Sequence, residues 1–441
     1  MTVEKRILLS IYGVSFAGPF VATALTVAIP RMAAEFGVLP NRLSEMIAFF
    51  LMATAAALLP CGKLSDIYGR RNIYTKALLL FLGTTIAAAG APTLPWLLGC
   101  YIIQGLALAA IYVSYMPLLL AMTPEDRQGH VLGRAVALTY GGLSCGPVMG
   151  GLLLQTVSWR YIFLITAVLI AMSYVAIRPV KGEWYAKGAP FVNIVSTLLS
   201  APAIMLCLYG ISAASPLLWV GLVLLGLFIF HESRSYHPIL PLYIFRNLTF
   251  SLANLASFIQ YSATYAVSFL VSLYAQLVLH LSPAMTGLLL VVQPIFIALL
   301  STKAGDLADT YSGQYVSAGG LFITTLGLGA LAFTDTHSLV TLTVYLGILG
   351  IGTALFGAPN NKTIMSAVKP AYHGLAASML ALARNLGQAI SMALVTLFLT
   401  SQAARLSDYS LVVATTFHTA FLVFTILCAL AMVCSLIRRQ N

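Results

Sequence analysis

The chain has 441 residues, of which 60% are hydrophobic and only 8% are charged. Because about a quarter of the residues in a soluble globular domain are charged, this composition excludes a mainly soluble protein and predicts one that spans a membrane. The net charge of +11 does not indicate a nucleic-acid partner, since Lys and Arg accumulate beside membrane spans under the positive-inside rule.

Apolar runs long enough to cross a bilayer as helices occur fourteen times along the chain. The first run lacks a small-residue cleavage site, so we interpret it as a retained span rather than a signal peptide. The predicted spans are residues 7–30, 43–61, 73–92, 94–121, 132–156, 159–178, 191–212, 215–231, 249–275, 284–302, 315–333, 338–358, 374–400 and 412–436.

The distribution of basic residues predicts the orientation. An even number of spans puts both termini on the same side. When that side is the cytoplasm, most of the 23 Lys and Arg residues lie inside, and only Arg31, Arg42, Arg160 and Arg405 lie outside. This asymmetry predicts a multi-pass protein of the inner (plasma) membrane with both termini in the cytoplasm.

A polar string appears twice in the sequence. Residues 62–71 (GKLSDIYGRR), the first repeat loop, join spans 2 and 3, and residues 305–314 (GDLADTYSGQ), the second repeat loop, join spans 10 and 11. Gly, Leu, Asp and Tyr recur at identical spacing, which indicates two related halves, as in many transporters. The copies lie eight spans apart rather than six, so spans 7 and 8 form an insertion. The predicted order is a six-helix bundle (1–180), two inserted helices with their loops (181–247) and a second six-helix bundle (248–441).

The first repeat loop resembles the signature G-x-L-x-D-x-x-G-R-R of the major facilitator superfamily. This resemblance implies an all-α membrane fold of fourteen helices arranged 6+2+6, with the two bundles around a central cavity. It also implies that the loop acts as a latch for the outward-open state, formed here by Gly62, Asp66, Arg70, Arg71 and Asp309. We expect Gly62 to permit a close helix approach. The second copy lacks the Arg pair, so its latch should be weaker.

A glycine-rich string in span 5, residues 141–151, resembles the G-x-x-x-G-P-x-x-G-G pattern of export-type antiporters. Its motif residues are Gly142, Gly146, Pro147, Gly150 and Gly151. Small residues favour tight helix packing, and the proline removes a backbone donor and bends the helix.

Residues 237–247, 359–361, 374–376 and 384–388 extend the resemblance to the fourteen-span drug:proton antiporter branch, over the whole chain. The resemblance implies export of lipophilic compounds, often cations, against proton entry.

The sequence departs from that branch where proton coupling is concerned. Val21 and Tyr101 occupy the positions where the branch usually has an Asp in span 1 and an Arg in span 4. None of the 12 acidic residues lies at mid-span, and Glu45 comes nearest. We therefore expect Glu45 or His418 to carry any proton coupling, although a packing role is the simpler interpretation of His418. Facilitated diffusion and a different coupling cation are the alternatives.

Polar and aromatic residues on spans 1, 4, 9, 10 and 13 are the candidate substrate-binding groups, because these spans face the cavity in this fold. Such side chains suit an amphipathic ligand. Arg384 is the only cation well inside a span, and it could serve an anionic ligand or pair with helix-end carbonyls or Asp309. The candidates are Thr23, Thr26, Gln104, Tyr112, Tyr115, Gln260, Tyr261, Tyr265, Gln293, Arg384, Asn385 and Gln388.

The leading prediction is a secondary active transporter that exports amphipathic compounds. The alternative is a transporter of a specific metabolite or organic anion, with non-standard or absent proton coupling. A transport-dead sensor or a membrane enzyme is disfavoured, because no appended domain and no catalytic constellation is visible. We predict a monomer without cofactor, metal or nucleic acid, whose partners are a small-molecule substrate, the lipid bilayer and a coupling ion such as the proton.

Overall fold

A computed structural model describes residues 3–123, 125–184, 194–235, 238–240, 242–333, 338–368, 373–406 and 408–438. Within these ranges the chain forms α-helices joined by short connections, together with one 3₁₀ turn, and the described part contains no strand. The all-α prediction is therefore confirmed. The chain divides into two compact units.

The first unit comprises Met1–Leu25, Arg31–Gly146 and Leu153–Pro241. Its helices are α1 (Val3–Phe36), α2 (Pro40–Tyr68), α3 (Arg70–Ala89), α4 (Leu94–Met122), α5 (Glu125–Thr156), α6 (Arg160–Ile177), α7 (Ile194–Ser212) and α8 (Leu217–Arg234). The segments Thr26–Pro30 of α1 and Pro147–Leu152 of α5 are grouped with the second unit.

The second unit also contains residues 242–441. It begins with the 3₁₀ turn Leu242–Arg246 and continues with α9 (Leu248–Thr264), α10 (Val267–Leu277), α11 (Pro283–Thr310), α12 (Gly313–Phe333), α13 (Leu339–Ser366), α14 (His373–Ala403) and α15 (Tyr409–Ile437).

Thirteen helices of the described part are long and apolar enough to cross a membrane. The remaining predicted span, residues 249–275, is broken into α9 and α10. The break falls at Ala266, whose backbone N–H donates to the side-chain hydroxyl of Ser391 on α14 over 3.1 Å. A tertiary contact thus replaces the helical hydrogen bond at this point.

The inserted helices α7 and α8 belong to the first unit. The ring of Tyr209 on α7 stacks on Phe49 of α2, with ring centroids 6.1 Å apart. Helix α8 approaches α7 closely at Gly221, where an added Cβ would lie 2.5 Å from the backbone nitrogen of Cys207. Small residues thus allow the backbones of the pair to meet.

The second unit packs by small residues and aromatic rings. An added Cβ at Gly320 on α12 would lie 2.7 Å from the carbonyl oxygen of Gly352 on α13, so these helices meet backbone to backbone. The ring of Phe417 on α15 lies 4.3 Å from that of Tyr274 on α10 and 4.5 Å from that of Phe421. These buried rings form the core beside α10.

Candidate transport site and its control elements

The first repeat loop is a sharp junction between two helices. Helix α2 ends at Tyr68 and α3 begins at Arg70, so only Gly69 separates them. Gly69 has φ +93° and ψ 133°, a conformation that residues with a Cβ rarely adopt. Glycine at this position therefore lets the chain reverse between the helices without a longer loop.

The two arginines of the first repeat loop have different partners. A guanidinium nitrogen of Arg70 lies 3.4 Å from a carboxylate oxygen of Asp66, one helical turn earlier. Arg71 donates instead to the carbonyl oxygen of Arg178, just past the end of α6, over 3.2 Å. A Cβ at Gly62 would lie 3.9 Å from Val113, an ordinary contact distance. The expected close helix approach at Gly62 is therefore wrong, although its place in the latch stays a prediction.

The second repeat loop joins α11 to α12 and is held from the end of α15. Gln314 donates to the carbonyl oxygen of Leu436 over 2.6 Å, and Arg438 donates to that of Gly313 over 3.3 Å. The backbone of Asp309 lies in the last turns of α11, but its side chain lies outside the described part of the chain. Its predicted latch role stays a prediction.

Arg438 and Asn360 form a buried polar centre that the sequence analysis missed. Both side chains are fully buried. Arg438 donates to the side-chain oxygen of Asn360, whose amide nitrogen donates to Ser257 over 2.7 Å and to the carbonyl oxygen of Ala253 over 3.1 Å. Burial lowers the pKa of the Arg438 guanidinium to about 10, because the charged form loses hydration. The centre joins α9, α13 and the end of α15.

The glycines of α5 permit close packing against α1, as the sequence predicts. A Cβ at Gly142 would collide with the carbonyl oxygen of Phe16, and one at Gly146 would lie 2.7 Å from that of Phe20. Gly150 is buried on the same helix. Helix α5 continues through Pro147.

The remaining part of the α5 motif packs against α11 within the second unit. A Cβ at Gly151 would lie 2.5 Å from the carbonyl oxygen of Pro283, and one at Gly287 would lie 2.8 Å from the carbonyl carbon of Pro147. The motif thus spans two close helix contacts.

Four substrate-binding candidates lie in the first unit. Gln104 on α4 is buried, and its amide donates to the hydroxyl of Thr85 on α3 over 3.0 Å. The rings of Tyr112 and Tyr115 are half-buried on α4 with centroids 6.1 Å apart. The hydroxyl of Thr23 donates to the carbonyl oxygen of Pro19, one turn earlier, over 2.9 Å.

Helices α9 and α14 bring several candidates of the second unit together. A Cβ at Gly387 on α14 would lie 2.9 Å from the Cβ of Tyr261 on α9. Asn385 and Gln388 flank this contact on α14, and Gln260 flanks it on α9. The two helices that meet here thus carry three neutral amide residues next to the contact in the sequence.

Gln260 carries an unsatisfied acceptor. Its side chain is 1% exposed, and its amide nitrogen donates to the hydroxyl of Thr264 over 3.2 Å. Its amide oxygen is buried and has no hydrogen-bond partner among the described residues. A buried polar atom without a partner raises the free energy of the folded state, so such an atom often marks a functional position.

The candidates of the second unit differ in burial. Asn385 is buried and donates to the carbonyl oxygen of Ala381 over 2.7 Å. Gln293 on α11 and Thr26 are both 9% exposed, and the carbonyl oxygen of Thr26 accepts from Ser272 on α10 over 3.0 Å. Half-buried positions are those of Tyr261, Tyr265, Arg384 and Gln388.

The two candidates for proton coupling lie on α2 and α15 and contact neighbouring groups. Glu45 lies in the second turn of α2 and faces Arg42, with an oxygen–nitrogen distance of 3.5 Å. The Nδ1 atom of His418 on α15 lies 3.0 Å from the carbonyl oxygen of Ala332, near the end of α12. That hydrogen bond engages one of the two ring nitrogens in helix packing.

A second cluster that the sequence analysis missed joins the end of α1 to the start of α6. The carboxylate of Glu35 accepts from the indole nitrogen of Trp159 over 2.6 Å and from the guanidinium of Arg160. Arg160 also donates to the carbonyl oxygen of Ala91 over 3.2 Å and lies over the Trp159 ring. The adjacent Trp159 and Arg160 were the signal in the sequence that could have indicated this cluster.

Among the described residues, no group of three or more His, Cys, Asp and Glu side chains could hold a metal ion.

Comparison with known proteins decides the family. The model of the Major Facilitator Superfamily matches residues 11–252 and 253–441. The chain belongs to the major facilitator superfamily. This membership confirms the predicted fold, and it makes the chain a multi-pass membrane transporter with a small-molecule substrate. Assignment to the fourteen-span drug:proton antiporter branch stays a prediction.

Curated relatives of this superfamily member are named for different substrates. It is 27% identical to the riboflavin transporter RibZ of Clostridioides difficile, over 84% of this chain and 82% of that protein. It is also 27% identical to the multidrug resistance protein Stp of Mycobacterium tuberculosis, over 84% and 71%. The drug efflux pump JefA of the same species is 27% identical, over 88% and 79%. The relatives thus include both a transporter named for one metabolite and multidrug pumps.

Solved structures of other superfamily members share the fold. A D-xylose–proton symporter superposes with a TM-score of 0.70 at 13% identity, over 98% of this chain and 96% of that one. A peptide transporter of the POT type superposes with the same TM-score at 14% identity, over 97% and 93%. At such low identity these likenesses support the fold alone.

Proposed function

We propose that this chain is a secondary transporter that exports amphipathic small molecules by alternating access. The observation that carries the proposal is the unpartnered buried oxygen of Gln260, on a helix that meets α14 near the neutral amide residues Asn385 and Gln388. Neutral amides and tyrosines combine hydrogen bonding with apolar contact, and that combination suits ligands that are part apolar. The relatives named as drug pumps support export.

The candidate binding residues of both units belong to this proposal. In the first unit they lie on α1 and α4. In the second they lie on the Thr26–Pro30 segment of α1, on α9, at the break after α9, and on α11 and α14. The inserted helices, residues 181–247, are proposed as an accessory pair that takes no part in substrate binding. The transporter is further proposed to work as a monomer in the inner (plasma) membrane, with both termini in the cytoplasm.

A transporter of one specific metabolite or organic anion is the second candidate function. Arg384 lies half-buried on α14 beside Asn385, and a cation there would attract an anionic ligand. Carboxylates that would attract a cation are scarce, since Glu35, Glu45 and Glu232 lie near the ends of α1, α2 and α8. The relative named for riboflavin transport supports this candidate.

An efflux assay in a pump-deficient host tests the proposal. Cells that express the chain should accumulate less of several amphipathic fluorescent compounds than cells with an empty vector. Gln388→Ala, on α14, should restore accumulation. The matched control is Gln402→Ala on the same helix, about four turns away, which should export normally. Unchanged accumulation across a broad panel would rule out the exporter.

Competition in a binding assay separates the two candidate functions. The second candidate would be supported if the purified protein binds an organic anion that lipophilic cations do not displace, and if Arg384→Ala loses this binding. Displacement by lipophilic cations, with full anion transport in Arg384→Ala, would support the first.

A further inference from the structure

Helix α3 begins without a cap of its own. Its N-cap residue is Gly69, which has no side chain to accept from the first backbone N–H groups. The first turn of a helix leaves such groups without partners, and they carry a partial positive charge. The missing acceptor is supplied from a residue more than a hundred positions away. An oxygen of the Glu183 carboxylate accepts from the backbone N–H of Arg71 over 2.8 Å and from that of Asn72 over 3.1 Å.

The segment around Glu183 is fixed to the loop at further points. We call residues 178–184, which follow α6, the strap. The carbonyl oxygen of Trp184 accepts from the backbone N–H of Arg70 over 2.9 Å, and that of Arg178 accepts from the side chain of Arg71 over 3.2 Å. Val180 is buried in the core of the first unit, and Trp184 packs against that core. The strap is therefore seated between the core and the loop.

The conformation of Gly69 makes room for this contact. An added Cβ at Gly69 would overlap the side chain of Glu183 and lie 2.6 Å from its carboxylate oxygen. The glycine therefore permits both the positive φ and the approach of the carboxylate. The ion pair within the latch holds the loop only weakly, because the contact of Arg70 with Asp66 is 3.4 Å long and partly exposed.

The strap also leads to the inserted helices, whose far end is held by a second carboxylate. Glu232, near the end of α8, is 3% exposed. It accepts from the hydroxyl of Ser196 on α7 over 2.6 Å and from the backbone N–H of Leu240 over 2.8 Å. Glu232 therefore joins the start of α7, the end of α8 and Leu240 within the insertion.

We propose that Glu183 is a positioning residue of the transport cycle, which caps α3 in trans and thereby sets the direction of Arg70 and Arg71 in the latch. The inference rests on the proposed function, in which the latch acts during transport, but the cap forms without substrate. The strap then makes the end of α6 and the first repeat loop move as one body. The cap does not depend on the class of substrate, since it acts on the loop and not on the ligand.

Hydrogen–deuterium exchange of the full chain in lipid nanodiscs tests the cap. In Glu183→Ala, the amides of residues 70–72 should exchange at least about tenfold faster, as expected for loss of a hydrogen bond to a charged group. Glu183→Gln keeps an acceptor oxygen and should stay within about threefold of the unsubstituted protein. The matched control is Glu4→Ala, another acid on the predicted cytoplasmic side, which should leave these amides unchanged.

A distance measurement tests the positioning role. A cap with a purely local effect would leave the measured distances unchanged. Spin labels at Tyr68→Cys and Tyr311→Cys, in a chain whose six native cysteines are replaced, report the arrangement of the two repeat loops. We expect Glu183→Ala to redistribute the distances and Glu183→Gln to restore them, with the Tm of all variants within a few degrees.

Either of two results would overturn the inference. One is exchange in Glu183→Ala that equals exchange in Glu4→Ala. The other is faster exchange with an unchanged distance distribution. If the exporter proposal is wrong, the unsubstituted chain shows no efflux. The hydrogen–deuterium exchange result can still be interpreted in that case.

Discussion

The guanidinium of Arg438, just past the end of α15, donates to the side-chain oxygen of Asn360 in the last two turns of α13. Three helices and the second repeat loop meet at this pair, because Asn360 also binds α9 and Arg438 also binds Gly313. The pair is fully buried, so neither partner can exchange its contact for water.

Replacing Asn360 should therefore destabilise the second unit strongly. Asn360→Leu leaves the buried cation without its main acceptor, and breaking such a contact costs about 3 kcal/mol or more. We expect a large fall in the Tm measured by a thermal-shift assay in detergent. The matched control is Asn361→Leu, at the exposed neighbouring position, which should change the Tm little. Equal Tm values for the two variants would contradict the structure.

The break between α9 and α10 gives a second prediction. Ser391→Ala removes the acceptor for the backbone N–H of Ala266, and a buried N–H without a partner costs about 1–3 kcal/mol. The Tm should fall by the amount that corresponds to this loss of free energy. Ser401→Ala on the same helix removes only an exposed local contact to Phe398 and should be neutral. A neutral Ser391→Ala would mean that the break does not depend on α14.

The close contact between α1 and α5 can be tested at two nearby glycines. In Gly146→Ala the new methyl group would lie 2.7 Å from the carbonyl oxygen of Phe20, whereas in Gly141→Ala it would lie 3.8 Å from the ring of Phe16. Backbone cannot yield as a flexible side chain can, and overpacking costs about 1–3 kcal/mol. We expect Gly146→Ala to lower the yield of folded protein on size-exclusion chromatography and Gly141→Ala to match the unsubstituted chain. The reverse order of yields would contradict the predicted packing of the span-5 motif.

Proton coupling gives the fourth prediction. The double variant Glu45→Gln, His418→Ala should abolish substrate-dependent proton movement in proteoliposomes, because these are the two titratable groups proposed for coupling. A pH-sensitive dye inside the vesicles measures it. The control Glu4→Gln should retain the signal. Proton uptake unchanged in the double variant would exclude both groups and favour facilitated diffusion or another cation.

The repeated string predicts two related halves and an insertion, since spacing in the sequence maps directly onto helix order. The division at residues 180 and 247 stays a prediction. The α5 glycines were also predictable, because small residues at helical spacing mark close contacts. Gly62 shows the limit of that argument, since the same residue type there meets only an ordinary contact.

Other features depend on residues far apart in the sequence. Nothing near Glu183 or Arg438 marks them as partners of the repeat loops, and both were counted only as charges beside a span. The break in the predicted ninth span has no Pro or Gly to announce it, because Ser391 on α14 replaces the helical acceptor. Likewise, the pairing of Arg160 with Glu35 can be recognised only when α1 and α6 are packed together.

The two repeat loops are fastened by side chains of opposite charge, Glu183 for the first and Arg438 for the second, and each fastening lies within one unit. Each repeat loop is therefore fastened by a side chain from its own half of the chain and does not need the other half for it. A chain cut after Pro241 would give two fragments that each retain their own fastening. Such a split transporter could be assembled from two separately expressed genes.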